Sequence, residues 1–248
     1  APLPAWVFKG PVAEAGGVHT AQGSWNPSSG RFEPRRELPV YQRQPFPELL
    51  LGEAGPRFAD AGTTIEETDS IRLWTLDNEV LIASIKTKMH AISPEVCEGL
   101  MQAVELAESQ YQGLVVWSGD EPFSVGADLQ AMLPAFLAVG VAAIEDAEGF
   151  MQQTMLRLRY ASVPVISAIR GMALGGGCEL AVYSSKRVVH MESYIGLVEV
   201  GVGVIPGGGG CKELLLRLKD PRRIFELTGF AKLSASADDA REMGLLDR

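Results

Sequence analysis

The sequence predicts an α/β domain over residues 71–248, preceded by an irregular, proline-rich arm over residues 1–70. Three observations predict it. From residue 71 onward, short apolar runs alternate with helical periods, the pattern of mostly parallel strands joined by helices. Gly-rich turns interrupt that alternation, and most of the 15 prolines lie before residue 71. A chain of 248 residues, 46% hydrophobic and 21% charged, is long enough for one large domain plus an appendage.

The arm carries turn clusters such as Trp25-Asn26-Pro27-Ser28-Ser29-Gly30 and little regular period, apart from a short helix expected around Phe46–Leu51. It reads as a linker. Yet Trp6, Phe8, Trp25, Phe32, Tyr41 and Phe46 are too many aromatics for a freely disordered tether, so part of it is expected to pack. Ile71–Leu76 and Val80–Ile85 read as a hairpin around Asp77-Asn78. Ser93-Pro94-Glu95 starts a helix that runs to about Gln110: a capping hydroxyl, proline in the first turn, then an acid at the positive dipole end. Leu114–Trp117 is a short buried strand, and Glu121–Ala127 a loop. Asp128 to about Tyr160 is helical, with breaks expected near Pro134 and Gly140. Val163–Ile169 and Arg187–His190 are strands, with a helix starting near Cys178 between them. Helices follow from the Gly207 region to Leu218, from Pro221, and from Ser234 to Gly244.

Composition excludes several classes. A net charge of −9 argues against non-specific nucleic-acid or membrane binding. No apolar run reaches the ~18 residues that span a bilayer. Residues 1–20 lack the basic start and apolar stretch of a signal peptide. Cys97, Cys178 and Cys211 cannot form a complete disulfide set, which fits a reduced, cytoplasmic compartment. His19, His90 and His190 are scattered, and no metal site is expected. There is no G-x-S-x-G elbow, no complete dinucleotide fingerprint and no Walker lysine.

Three segments carry candidate chemistry. Phe123 through Leu129 follows a buried strand and presents the Ala127 N–H at a strand end, where ligands gather in α/β sheets; the alternative is an ordinary connection capped by Asp128. Gly171 through Leu180 also follows a strand. Its three glycines aim free amides and a helix dipole at negative charge, or serve only tight packing, with Glu179 a first-turn dipole partner. Glu199 stands in the otherwise apolar run Ile195–Gly201. Desolvation there raises a carboxyl pKa and suits acid/base work, unless a buried cation pairs with it. The four glycines 207–210 read as a tight turn into the next helix.

In order, Met89-His90-Ala91-Ile92-Ser93, Phe123–Leu129, Pro164–Ile169 with Gly171–Glu179, and Gly196–Gly210 resemble the crotonase (enoyl-CoA hydratase/isomerase) superfamily over about residues 75–245. The resemblance implies a crotonase-type ββα spiral with surrounding helices, assembled as a homotrimer or hexamer. The ligand it implies is an acyl-CoA thioester, which is substrate rather than cofactor. Residue by residue, Ala127 and Gly176 match the backbone donors of an oxyanion hole, and Glu179 and Glu199 match both catalytic glutamates. Lys88, His90, Ala91, Val125, Asp128, Leu129, Gln130, Gly175 and Val198 fall in segments that contact substrate or CoA. His90 replaces a common asparagine, and Lys86 and Lys88 either meet CoA phosphates or lie on a solvated face. Phe136 and Leu137, in an apolar Pro134–Ala143 run, are expected to line the acyl pocket or simply to pack. The approach to this domain resembles bacterial fusions in which a 3-hydroxyacyl-CoA dehydrogenase precedes a hydratase. On that resemblance residues 1–70 are the linker from an upstream dehydrogenase-like region, and C-terminal helices that usually follow are missing.

The resemblance implies reversible hydration of a trans-2-enoyl-CoA in fatty-acid β-oxidation, with Glu179 as base and Glu199 as acid. Enoyl-CoA isomerisation, a non-catalytic oligomerisation module of a dehydrogenase fusion, and thioester hydrolysis remain alternatives.

Overall fold

A computed structural model of the chain describes residues 3–20, 23–34 and 62–247, and divides into two compact units, residues 1–61 and 62–248. The helix expected at Phe46–Leu51 lies outside the described residues, as do Tyr41 and Phe46.

The first unit is more regular than its prolines imply. After a short helix α1 (Pro11–Glu14), strands β1 (His19–Thr20), β2 (Gly23–Asn26) and β3 (Arg31–Glu33) form an antiparallel sheet with Trp25 opposite Phe32. Asn26 closes the turn: its Oδ1 accepts the Ser28 N–H at 2.9 Å and its Nδ2 donates to Glu33. Trp25 meets Phe32 edge-on at 5.3 Å and Trp6 at 6.3 Å, so the aromatics that argued against a loose tether pack on one another.

The second unit begins before the expected hairpin. β4 (Thr63–Glu67) pairs antiparallel with β5 (Ile71–Thr75), which turns through Asn78 at φ 64° into β6 (Val80–Ile85). β4 is exposed along its whole length, so Thr63-Thr64-Ile65-Glu66-Glu67 shows no apolar alternation to mark it. From β6 the sheet continues parallel through β7 (Gly113–Val116), β8 (Val165–Ile169) and β10 (Lys186–Val189). A second, two-stranded parallel sheet, β9 (Met172–Leu174) with β11 (Tyr194–Gly196), was not anticipated. Each of its strands is too short to show a period.

Helix α2 (Pro94–Gln110) starts as its sequence requires, with the Ser93 hydroxyl accepting the Val96 N–H. Val96, Leu100, Ala103, Val104 and Ala107 are fully buried at helical spacing, which lays one face on the sheet. The long helical stretch is α3 (Leu129–Val139) and α4 (Val141–Arg159). α3 runs through Pro134, and the break comes only at Gly140, φ 82°. Then come α5 (Gly176–Tyr183), α6 (Gly210–Leu218), α7 (Pro221–Gly229) and α8 (Ala237–Met243). α8 starts after a Ser236 cap rather than at Ser234, because the Ser234 hydroxyl instead accepts the Ile195 N–H of β11.

Gly99 lets α2 approach the sheet: a Cβ there would come within 2.3 Å of the Ile71 Cγ2 and 3.2 Å of its Cβ. Alanine improves helix propensity by about 1 kcal/mol, but β-branched, buried Ile71 cannot yield. Gly99→Ala is therefore expected to lower stability in urea unfolding by about 1–3 kcal/mol, the usual cost of overpacking.

Candidate active site

The site is assembled where the parallel strands end. The loop after β7 is bound along β9: the Ser124 N–H donates to the Met172 carbonyl, and the Leu174 N–H donates to that of Ser124. The Ser124 hydroxyl donates to the His90 carbonyl and accepts the Gly126 N–H. Gly126, at φ 92°, then lies so close to the β9–α5 turn that a Cβ would meet the Gly176 nitrogen at 2.8 Å and the Leu174 carbonyl oxygen at 2.9 Å. Only glycine allows that approach. It brings the Ala127 nitrogen beside Gly176, where a Cβ would stand 3.3 Å from it. Gly176 opens α5 after Gly175 at φ 53°, so its N–H has no intrahelical acceptor. Among the described residues neither the Ala127 nor the Gly176 N–H has a backbone or side-chain acceptor. Two free amides and the positive end of α5 can therefore hold an oxygen on which negative charge develops.

Glu179 lies in the first turn of α5 and is 1% exposed. Its Oε1 accepts the Gly210 N–H at 2.8 Å and its Oε2 the Gly208 N–H at 3.1 Å. The glycine run 207–210 is thus no mere turn. A Cβ on Gly208 would lie 2.6 Å from Oε2, and one on Gly210 2.9 Å from the Glu179 Cγ. The run is held from behind by Gln152 donating to the Gly207 carbonyl and the Tyr183 hydroxyl donating to that of Gly209. Burial pushes the Glu179 carboxyl up to about 7, against the pull of the two N–H groups and aided by repulsion from Glu199.

Glu199 begins a 3-10 turn (Glu199–Val202) just after β11. Its Oε1 stands 3.3 Å from where a Gly175 Cβ would be, on the same turn that carries the Gly176 amide. Both carboxyl oxygens are buried and have no hydrogen-bond partner among the described residues. Burial raises its pKa, opposed by its own backbone N–H. The two acids are therefore held differently: two N–H groups of the glycine run donate to Glu179, and no other residue among those described donates to Glu199.

The enoyl-CoA hydratase/isomerase family model matches residues 78–248. The chain belongs to that family. It is 36% identical over 190 residues to "Probable 3-hydroxyacyl-CoA dehydrogenase" of Bacillus subtilis, covering 73% of this chain and 24% of that protein. It is 34% identical over 165 residues to "Peroxisomal bifunctional enzyme" of Cavia porcellus, covering 64% and 21%. The chain thus spans about a quarter of the length of such relatives. Its fold matches the crystal structure of an enoyl-CoA hydratase from Bacillus anthracis with a TM-score of 0.63 and 26% identity, over 71% of this chain and 68% of that one.

Within this enoyl-CoA hydratase/isomerase domain the other expected residues are distributed as follows. Ala91 is buried, and Val125 and Val198 are half-buried beside the turns just described. The Asp128 carboxylate accepts the Gln130 N–H at the start of α3, where Leu129 and Gln130 are exposed. The His90 ring is engaged within the fold, by the Pro122 carbonyl and the Asp120 carboxylate. Lys88 is exposed without an ion pair among the described residues, whereas Lys86 pairs with Glu67 at 2.8 Å. Phe136 lines a cavity of about 730 Å³ with Leu129, Met132 and Leu133 of α3, Ile144 of α4, and Val200, Val204 and Ile205. Leu137 is 75% exposed and lies outside that lining.

One acid escaped the sequence reading. Glu148 of α4 lines the same cavity, and burial raises its pKa. In the sequence it follows Glu145 and Asp146 and looks like one more charge on a solvated helix face. No group of His, Cys, Asp and Glu able to hold a metal occurs among the described residues, and none of their helices is long and apolar enough to cross a membrane.

These raised carboxyls link stability to pH. A folded-state pKa near 7 against an ordinary 4.5 means that the folded chain binds the extra proton in that window, so stability falls as pH rises from about 5 to 8. The Glu179 share is on the order of 3 kcal/mol. The urea midpoint is expected to fall over that range, and Glu179→Gln is expected to flatten the fall.

Proposed function

We propose that this domain catalyses reversible addition of water to a trans-2-enoyl-CoA, giving a 3-hydroxyacyl-CoA. The observation that carries this reading is the inequality of the two buried glutamates beside one pair of free amides. The thioester oxygen accepts from the Ala127 and Gly176 N–H groups. Glu179, held as a carboxylate by Gly208 and Gly210, takes a proton from water while the water oxygen bonds to C3. The C2–C3 π electrons move toward C2 and the thioester, and the charge on oxygen is met by the two amides; each such donor is typically worth ~3–4 kcal/mol in catalysis. Glu199, lacking donors, holds its proton and delivers it to C2. The step is redox-neutral and calls for no metal or redox cofactor.

The Bacillus subtilis relative's name supports a wider setting, a domain covalently continuous with a 3-hydroxyacyl-CoA dehydrogenase; a cytoplasmic place in fatty-acid oxidation and residues 1–70 as the connecting arm belong to the same proposal. Assembly as a homotrimer or hexamer is part of the same proposal, as is contact of CoA with the Lys88–Ala91 and Val125–Gln130 segments.

Crotonyl-CoA should be consumed to a 3-hydroxy product without release of free thiol. Glu179→Gln and Glu199→Gln should each lower kcat by roughly 10²–10⁴-fold, the range for loss of a general acid or base. Free CoA would point to thioester hydrolysis. Hydration surviving Glu199→Gln while 3-enoyl isomerisation is lost would point to an isomerase, and folded protein without turnover to a non-catalytic module. In a chain-length series, Phe136→Ala should shift preference toward longer acyl groups; an unchanged profile removes Phe136 from the acyl pocket.

A further inference from the structure

The cavity between α3 and α4 is walled by aliphatic side chains and Phe136, with a single carboxyl among them, that of Glu148. Glu148 and Met132 also line the narrow cleft that reaches Ala127. The carboxyl therefore stands where a chain leaving the Ala127 amide enters the apolar cavity. Its Oε2 is buried and has no hydrogen-bond partner among the described residues. On its other side it lies against Gly207, where a Cβ would come within 2.2 Å of Oε2. Gly207 precedes Gly208, whose N–H holds Glu179, and adjacent Cα atoms are about 3.8 Å apart. Glu148 thus lies against the residue next to the one whose N–H holds Glu179, on the side of the cavity.

A wholly apolar acyl chain would leave the buried Oε2 unpaired, at the cost of an unsatisfied buried acceptor. A donor on the chain would satisfy it, and sites built around a substrate hydroxyl reject the analogue that lacks one far more strongly than apolar pockets reject a methylene. Glu179 is engaged elsewhere in that reading, by the water at C3 and by the two N–H groups it accepts. Resting on the hydratase reading above, we propose that Glu148 is a specificity-determining residue: it accepts a hydrogen bond from a hydroxyl on the acyl chain, and acyl-CoA thioesters hydroxylated beyond the reacting carbons are the preferred substrate class.

Saturated thioesters test this without turnover, so the outcome is independent of whether crotonyl-CoA is hydrated. Titration calorimetry compares hexanoyl-CoA with its 5-hydroxy and 6-hydroxy derivatives. The wild-type chain is expected to bind at least one hydroxy derivative about ten-fold or more tightly than hexanoyl-CoA, or about 1.4 kcal/mol. Glu148→Met should remove that preference, mainly by strengthening hexanoyl-CoA binding. Should Glu148→Met lose cooperative unfolding in urea, Glu148→Ala carries the same comparison. Equal affinities in the wild type, a preference that survives in the variant, or no binding of any of the three overturns the proposal.

Discussion

The close approach of Gly126 to the β9–α5 turn is the constraint on which the site depends. It has two sources. Ser124 ties the loop to β9 and to His90 through backbone and hydroxyl bonds, and Gly126 contributes the absence of a Cβ where one would strike the Gly176 nitrogen. Two amides from segments 49 positions apart are thereby set side by side with their hydrogens free. Because both belong to the backbone of a hydrogen-bonded framework, they need little reorganisation when charge appears between them.

A second close approach prepares the acids. Gly208 and Gly210 approach Glu179 so closely that a Cβ on either would crowd it, and their N–H groups pull its pKa down against the push of burial. Glu199 is buried against Gly175 without such donors. The two buried carboxyls thus differ in hydrogen bonding rather than in residue type. Glycine therefore serves twice, once to set two free amides side by side and once to aim amides at a buried carboxyl.

What was legible in the sequence was what local chemistry encodes. The Ser93-Pro94 cap, the buried face of α2, the hairpin at Asn78 and the Gly-Gly-Gly-Cys-Glu turn all declare themselves within a few residues, and the ordered motifs pointed to the family that the comparisons bear out. What was not legible depends on distant partners. The clasp on Glu179 comes from residues 29 and 31 positions away, so the glycine run looked like a turn. Glu148 follows the exposed acids Glu145 and Asp146 in the sequence, and only the walls of the cavity set it apart. β4 and the small sheet of the first unit are exposed or very short, and neither shows an apolar period. Leu137 lies outside the cavity lining for a related reason: α3 is apolar nearly all round, so composition could not say which side faces the cavity.

In the proposed reaction the Ala127 and Gly176 amides polarise a thioester carbonyl. Infrared difference spectroscopy of carbonyl-¹³C hexanoyl-CoA bound to the protein tests it most directly. The carbonyl stretch should move to lower frequency on binding than in water, and Gly126→Ala, which drives a methyl group into the Gly176 nitrogen, should abolish most of that shift. A bound carbonyl at its aqueous frequency, or a shift unchanged in Gly126→Ala, would contradict the account.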